Sequence, residues 1–273
     1  MLAIIRIILI TAALIVICVC ACVLSLFRLR SRNNVYYTAK FMGKVSWLLG
    51  LKVEIRVPDE IKNLGPVVYV ANHQSGWDIF TISGAVQRNT VSVGKKSLKW
   101  IPFFGQMYWL TGNILIDRNN TNKALGTIEQ TVKKIKERQF SVWLFPEGTR
   151  SKGRGLLRFK TGAFRTAQQA GVPIVPICSS NLHDQVKLNR WNNGKYIIEL
   201  LPPLYFTDDQ KNIRDMANIT HAKMVDKIHL LSTEAGTLLP VTTDSETPES
   251  KTSQHQNKTS KNTAEKTQQT ESK

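Results

Sequence analysis

The chain begins with a long apolar run. From Ile7 to Phe27 there are 21 consecutive uncharged residues, interrupted by the polar side chains of Thr11 and Ser25. A helix of about 20 apolar residues spans the hydrocarbon core of a bilayer, whereas the apolar part of a secretory signal is about 7–15 residues long. The pattern therefore predicts a membrane helix near the N-terminus.

The residues that follow this run predict its orientation. Arg28, Arg30 and Arg32 come directly after it, and the positive-inside rule then places the downstream chain in the cytoplasm. Two alternatives stay open. Val-Cys-Ala-Cys at 19–22 resembles a lipoprotein processing site, although Arg6 stands alone in an otherwise apolar start. In the second alternative, the segment bends and lies in one leaflet.

A second helix is predicted from Val35 to Leu49, where apolar residues recur at helical spacing. The predicted apolar face consists of Thr38, Phe41, Met42, Val45, Leu48 and Leu49. Lys40, Lys44 and Trp47 lie on another side, and such basic and aromatic residues suit a headgroup region. An ordinary domain helix with a solvated basic face is the alternative interpretation.

The body of the chain alternates short apolar runs with helical patterns, which predicts an α/β domain with a mixed sheet flanked by helices. The predicted strands are Val53–Val57, Val67–Ala71, Thr90–Val93, Asn113–Ile116, Ser141–Phe145, Ile174–Cys178 and Tyr196–Leu201. The predicted helices of the body are Asn122–Gln139, Phe159–Ala170 and Asp209–Leu231.

The C-terminal segment has a different composition. From Thr242 onward it consists of polar residues with almost no apolar ones, so it cannot bury enough surface to fold. Three parts are therefore predicted: membrane-anchoring helices over 1–50, an α/β domain over 51–240 and a disordered tail over 241–273.

The charge of the protein lies outside this tail. The 273 residues carry a formal net charge of +17, whereas the tail has five lysines and five acids. A basic folded body favours an anionic partner, either nucleic acid, anionic lipid or a phosphorylated substrate. No zinc, helix-turn-helix or RNA-binding signature appears, and aromatics are not interleaved with the basic residues, so nucleic acid is the remote alternative. The cysteines and histidines have no metal-ligand spacing, which predicts no metal.

The first candidate for chemistry is Asn72-His73-Gln74-Ser75-Gly76-Trp77-Asp78, directly after a predicted strand. His73 and Asp78 are five residues apart, so neither a regular helix nor a strand brings them together. Ser75-Gly76 supplies turn residues through which they can meet. An Asp bonded to one imidazole nitrogen leaves the other free to take a proton from a hydroxyl.

Two further segments carry groups suited to a phosphorylated ligand. Phe145-Pro146-Glu147-Gly148-Thr149-Arg150 also follows a predicted strand; Arg150 can hold phosphate oxygens, and Glu147 can accept a hydrogen bond from a polyol hydroxyl. Gly94-Lys95-Lys96-Ser97-Leu98 pairs two lysines, and Asp117-Arg118 adds another cation. The aromatic segment Trp100-Ile101-Pro102-Phe103-Phe104 is either core or a membrane-facing rim.

Together these segments resemble the glycerolipid acyltransferases. The matching blocks stand in the family's order: His-x-x-x-x-Asp at 73–78, Gly-Lys-Lys-x-Leu to Pro-x-x-Gly at 94–105, Phe-Pro-Glu-Gly-Thr-Arg at 145–150 and Val-Pro-Ile-x-Pro-Ile at 172–177. The resemblance covers about residues 1–232 and is greatest to the bacterial enzymes that act on 1-acyl-glycerol 3-phosphate.

The resemblance implies an acyl transfer from a thioester of acyl carrier protein or coenzyme A to the sn-2 hydroxyl of lysophosphatidic acid, giving phosphatidic acid without a cofactor. It implies that His73 is the general base and Asp78 orients it. It also implies an acceptor site formed by Glu147, Gly148, Thr149, Arg150, Lys95 and Arg118, with Lys96 in place of Lys95 as an alternative.

The resemblance further implies that the enzyme is at the bacterial inner membrane, with its catalytic domain on the cytoplasmic side. Glycerol 3-phosphate or another lyso-lipid is the alternative acceptor. A hydrolase that uses the same His73 and Asp78 on water is a third possibility, which release of fatty acid without an acceptor would reveal.

Overall fold

The computed structural model describes residues 1–28, 31, 33–117, 120–206 and 212–238. All seven predicted strands are present within these ranges, and each bound agrees within two residues. The strands are β1 (Lys52–Arg56), β2 (Val68–Ala71), β3 (Thr90–Lys95), β4 (Ile114–Ile116), β5 (Ser141–Leu144), β6 (Ile174–Ser179) and β7 (Lys195–Leu200). Short runs of Val and Ile predict buried strands well because both faces of such a sheet are covered.

Most of the helices also match their patterns. They are α1 (Leu2–Phe27), α2 (Asn34–Lys44), α3 (Asp59–Lys62), α4 (Phe104–Leu110), α5 (Thr121–Arg138), α6 (Gly162–Ala170) and α7 (Ile213–Glu234). A 3-10 turn over Val45–Leu49 continues α2. Helix α6 begins three residues later than predicted because the backbone N–H of Lys160 donates to the carbonyl of Pro146 and keeps that residue in a loop. The start predicted for α7, at 209–211, lies outside the described residues.

The strands form one mixed sheet in the order β1-β7-β6-β2-β5-β3-β4, as the predicted fold class requires. Strand β2 is parallel to both β5 and β6, and β3 is parallel to both β5 and β4. The pair β6–β7 is antiparallel. The carboxyl ends of β2, β3, β4, β5 and β6 therefore meet at one edge, named here the carboxyl edge.

Helices cover both faces of the sheet. On β2, Val68 and Val70 belong to the apolar cluster formed with α6 and α7, whereas Tyr69 and Ala71 belong to the cluster formed with α2. Alternate residues of a strand point to opposite faces, so a continuous apolar run fits a strand buried on both sides. The result is a layered α/β body whose central strands are rigid supports for the loops at their ends.

Helix α1 is long and apolar enough to cross a membrane, and one side of it packs against the body. At its start, the buried Arg6 guanidinium donates to the carbonyls of Leu188, Arg190 and Trp191. At its end, Ser25 Oγ accepts a hydrogen bond from Asn34 Nδ2 at 3.4 Å. Because both ends contact the body, α1 lies along it, and most of its remaining apolar side chains are exposed.

Helix α2 departs from its predicted faces at two positions. Lys40, predicted on the basic side, is half-buried, and its ammonium donates to the carbonyl of Gly84. Thr38, Met42, Val45 and Leu49 are buried as expected, and Leu48 is half-buried, but Phe41 is exposed beneath the Lys44 ammonium. The division into three parts stays a prediction, and the predicted tail lies outside the described residues.

Candidate functional site

The structure brings His73 and Asp78 into contact. His73 Nδ1 lies 2.6 Å from Asp78 Oδ2, and the two side chains lie at the carboxyl edge, just past the end of β2. Asp78 is buried, with 4% of its side chain exposed, whereas 19% of the His73 side chain is exposed. Within the described part of the chain, Nε2 of His73 has no hydrogen-bond partner, and the side chain is partly exposed.

The meeting of these residues depends on a tight helical cap. Ser75 adopts an extended conformation and caps a 3-10 helix over Gly76–Phe80, with its hydroxyl accepting from the Trp77 N–H at 3.1 Å. Asp78 Oδ2 accepts in return from the backbone N–H groups of Gln74 and Ser75, at 2.7 and 3.1 Å. This reciprocal capping box fixes the carboxylate that holds the imidazole.

Phe145, the first residue after β5, packs on the imidazole. Its ring centroid lies 4.2 Å from that of His73, and the two planes are 19° apart. Stacking limits rotation of the imidazole, and the bond to Asp78 selects the tautomer with a proton on Nδ1. The arrangement leaves Nε2 able to accept a proton from a hydroxyl.

Two side chains that the sequence did not single out also hold the His73 segment. Asn72 Oδ1 accepts from the backbone N–H of Ser179 at 2.9 Å, at the end of β6. Gln74 Nε2 donates to the carbonyl of Ser180 at 2.8 Å, and its Oε1 accepts from the N–H of Leu182. Asn72 and Gln74 both face the end of β6, whereas His73 faces Phe145. Alternate residues of an extended segment point to opposite sides, so the position of Asn72 and Gln74 on either side of His73 was the sequence signal for their supporting role.

Glu147 is buried and bonded to the backbone rather than open to solvent. Its Oε1 accepts from the N–H of His73 at 2.7 Å and its Oε2 accepts from the N–H of Leu157 at 3.0 Å. Burial raises the pKa of this carboxyl, although the two backbone hydrogen bonds oppose the shift. In this structure Glu147 joins the His73 segment to the loop over residues 151–160.

Gly148 fits a backbone conformation that larger residues avoid. Its φ is +72°, and a Cβ at this position would lie 2.9 Å from Lys160 Cε. Both the left-handed conformation and this close approach favour glycine. The next residue, Thr149, is exposed at the same turn.

Arg150 lies next to the turn between His73 and Asp78. Its Nη1 lies 4.0 Å from where a Cβ on Gly76 would be placed, and its side chain is exposed. The following residues are bound to the same loop, since Ser151 N–H donates to the carbonyl of His73 at 2.8 Å and Lys152 N–H donates to that of Gln74 at 3.1 Å. A guanidinium in this position can bind an anion held next to His73.

The predicted lysines lie at the same edge, two strands away from β2. Continued past the strand ends, the register places Lys95 level with Pro146 and Asn72. With strands about 4.8 Å apart, the Lys95 backbone is about 10 Å to the side of the His73 segment. Lys96 pairs with Asp117 at 3.5 Å, whereas no described acidic side chain pairs with the exposed Lys95. Arg118 lies outside the described residues.

The fourth sequence block does not reach this site. Val172 and Pro173 precede β6 and line a shallow pocket with Tyr205 at the opposite edge of the sheet. Cys178 is fully buried in β6, and burial raises the pKa of its thiol, so it has the properties of a core residue.

Residues 52–180 match the protein family described as Acyltransferase. Among similar proteins, the 1-acyl-sn-glycerol-3-phosphate acyltransferase of Haemophilus influenzae is 48% identical over 86% of this chain and 98% of its own length. The protein of the same description from Escherichia coli strain K12 is also 48% identical, over 86% of this chain and 96% of its own length. The human 1-acyl-sn-glycerol-3-phosphate acyltransferase alpha is 35% identical over 64% of this chain and 63% of its own length.

A solved structure has the same fold. The crystal structure of the 1-acyl-sn-glycerophosphate acyltransferase from Thermotoga maritima superposes with a TM-score of 0.62, covering 84% of this chain and 97% of that chain. The two sequences are 22% identical, so this likeness shows the fold.

Proposed function

Since the chain belongs to the 1-acyl-sn-glycerol-3-phosphate acyltransferases, we propose that it transfers a fatty acyl group from a thioester to the sn-2 hydroxyl of 1-acyl-glycerol 3-phosphate. The observation that supports this chemistry most directly is the buried contact of 2.6 Å between His73 Nδ1 and Asp78 Oδ2, with the opposite side of the ring accessible.

The proposed mechanism uses direct attack by the acceptor. His73 Nε2 removes the proton from the acceptor hydroxyl as its oxygen attacks the thioester carbonyl. The imidazolium is stabilised by the Asp78 carboxylate. When the carbon–sulfur bond breaks, the thiolate takes the proton from Nε2 of the imidazolium and leaves as a thiol, so that an ester and the neutral base remain. Each step uses the two substrates and side chains of the enzyme, without a cofactor or a covalent enzyme intermediate.

The acceptor phosphate is proposed to bind between Arg150 and Lys95. Both side chains are exposed at the carboxyl edge, and Arg150 lies against the loop that holds His73. Binding the phosphate there would place the glycerol hydroxyl next to Nε2, and such positioning is a large part of catalysis in transfer reactions. Gly148 and Thr149 form the turn that presents Arg150. Arg118 is proposed as a further cation that binds the phosphate. Glu147 is proposed to act indirectly, by holding the backbone of the site through its hydrogen bonds.

The acyl donor is proposed to be a thioester of acyl carrier protein or coenzyme A. Both are anionic, and the loop after Arg150 offers four more exposed cations: Lys152, Arg154, Arg158 and Lys160. No acidic side chain among the described residues forms an ion pair with any of these four. Steady-state rates with each purified thioester would distinguish the two donors.

The enzyme is proposed to act at the cytoplasmic face of the inner membrane, with α1 along the bilayer surface. The apolar side of α1 that faces away from the body supports contact with the membrane. The hydrogen bonds of Arg6 and Ser25 attach both ends of α1 to the body, which favours a helix that lies along the body and does not separate from it. Arg28, Arg30 and Arg32 follow α1 directly and support the cytoplasmic side, because basic residues next to a membrane segment are attracted to the anionic lipids of that leaflet. Protease digestion of sealed, inverted vesicles should degrade the body, and right-side-out vesicles should protect it.

The activity is tested on isolated membranes with 1-acyl-glycerol 3-phosphate and a labelled acyl donor, comparing the natural chain with His73→Ala. Labelled phosphatidic acid from the natural chain alone supports both the reaction and its base. Equal turnover by His73→Ala contradicts the general-base assignment. Fatty acid released without an acceptor would indicate a hydrolase, and product obtained with glycerol 3-phosphate or another lyso-lipid alone would replace the proposed acceptor.

A further inference from the structure

The segment 99–103, named here the aromatic tip, projects into solvent at the carboxyl edge. All five of its residues, Lys99-Trp100-Ile101-Pro102-Phe103, are exposed, with 77% of Trp100 and 50% of Phe103 accessible. The packing energy of a folded core favours burying such side chains, so a contiguous exposed group of this kind marks a contact surface. The structure thus rules out core packing for this segment.

The backbone holds the tip outward at a cost. Phe103 has φ of 60°, which is a rare conformation for a bulky residue. Two residues later, the N–H of Gly105 donates to the carbonyl of Ile101 at 2.7 Å, and a Cβ on Gly105 would clash with the carbonyl oxygen of Lys99. A tight turn that needs this glycine therefore keeps Phe103 exposed. Strain of this type is concentrated at functional segments.

The chemistry of the tip matches the interface of a bilayer. The Lys99 ammonium lies 4.4 Å from the centroid of the Trp100 ring, and Lys95 and Lys96 are exposed just before it. Tryptophan is enriched at the boundary between acyl chains and headgroups, and lysine extends from there to anionic phosphates. A protein interface would instead be depleted of lysine.

The tip is also linked to α1 through α4. It leads into α4, which packs on α1 and exposes Trp109 on its own surface. The tip follows β3, whose end at Lys95 is level with the His73 segment. The tip therefore lies in the chain between a strand end that is level with the His73 segment and a helix that packs on α1.

We infer that the aromatic tip inserts into the lipid leaflet as a second membrane contact, separate from α1. Insertion would hold the carboxyl edge at headgroup level, where the hydroxyl and phosphate of a membrane lyso-lipid lie. The acceptor could then reach His73 while its acyl chain stays in the bilayer. This consequence for the acceptor rests on the proposed function, whereas the insertion itself does not.

The insertion is tested first without catalysis. Full-length protein and Trp100→Phe are reconstituted in vesicles of phosphatidylethanolamine and phosphatidylglycerol, and the difference between their emission spectra gives the signal of Trp100. We expect this signal to be quenched by lipids brominated on the acyl chain and protected from acrylamide in water. Quenching by acrylamide but not by brominated lipid would overturn the inference. The conservative Trp100→Phe change keeps an aromatic ring, so this test does not depend on a destabilised variant.

The second test measures acceptor use by Trp100→Ala/Phe103→Ala, with Tyr205→Ala as the control, since Tyr205 is an exposed aromatic at the opposite edge. For 1-acyl-glycerol 3-phosphate embedded in vesicles, the double variant should raise KM about tenfold, because binding to an interface scales with the apolar area inserted. KM for a short-chain acceptor below its micellar concentration should not change. An equal rise for both acceptors, or a rise in neither, would contradict the inference. If the natural chain turns over neither acceptor, the proposed function fails and the quenching measurement alone decides about the tip.

Discussion

Glu147 Oε1 accepts a hydrogen bond of 2.7 Å from the backbone N–H of His73, so a residue of the 145–150 block holds the backbone of the proposed base. The other oxygen of Glu147 accepts from the N–H of Leu157, in the loop that follows Arg150. One buried carboxylate thereby connects the position of the imidazole with the position of the cationic loop. The sequence resemblance assigns Glu147 to acceptor binding, whereas the fold places it where it holds the backbone at His73 and Leu157.

Replacement of Glu147 by Gln should impair both stability and turnover. The amide presents an acceptor on one side and a donor on the other, so either His73 or Leu157 loses the partner of its backbone N–H. We expect a loss of about 1–3 kcal/mol in the free energy of unfolding, from a buried donor left unsatisfied. The value of kcat should fall about 10-fold or more if the imidazole shifts.

Thermal unfolding and initial rates on Glu147→Gln would check this expectation. Glu137→Gln is a suitable control, since Glu137 is exposed and makes only a surface ion pair with Lys133. A variant with natural stability and kcat would show that the two backbone hydrogen bonds do not position the site.

Asp78→Asn should lower kcat with little change in the KM of the acceptor. An amide that donates toward His73 Nδ1 favours the wrong tautomer, and loss of the base costs about 100-fold or more. The Oδ2 atom also accepts from Gln74 and Ser75, so the cap of the 3-10 helix weakens as well.

The pH profile of kcat distinguishes these two effects for Asp78→Asn. A change in the profile together with a low rate indicates loss of the imidazole's partner, whereas a low rate with the natural profile indicates a purely structural role. Asp59→Asn, at an exposed ion pair with Lys62, should behave like the natural chain.

Arg150→Ala should raise the KM of the acceptor about 10-fold or more, because a charge-assisted bond to the phosphate is lost. The KM of the thioester donor and the thermal stability should change little, since Arg150 is exposed and its side chain forms no hydrogen bond with another described residue. Arg214→Ala, an exposed arginine at the start of α7, serves as the control. An unchanged acceptor KM in Arg150→Ala would remove this residue from the phosphate site.

Glu234 should make stability depend on acidic pH. Its hydrogen bonds to Arg56, followed by those to Lys195, lower its pKa from 4.5 to about 2. In the unfolded chain the carboxyl protonates first as pH falls, so the stabilisation present above pH 4.5 is lost progressively as pH falls toward 2. Glu234→Gln should therefore show a lower Tm at neutral pH and a smaller fall in Tm over that window. Parallel Tm curves for the two proteins would contradict the prediction.

The sequence by itself determined much of the architecture. Runs of Val and Ile marked the central strands because strands covered on both faces need apolar side chains on both, whereas β1 and β4, at the two ends of the sheet, are partly exposed. The apolar N-terminal run marked α1. The ordered blocks around His73 and Arg150 predicted the family, which the 48% identical relatives confirm.

Local pattern did not determine which groups meet. His73 contacts Asp78 only because Ser75 caps a 3-10 helix, and Glu147 turns to two backbone amides because the strand order brings the ends of β2 and β5 together. The exposure of the aromatic tip was likewise undecided, since the sequence 99–103 suits a core as well as a membrane rim. Contacts between distant segments, and the side of the protein on which a segment lies, depend on the packing of the whole chain, so the tertiary structure alone decided them.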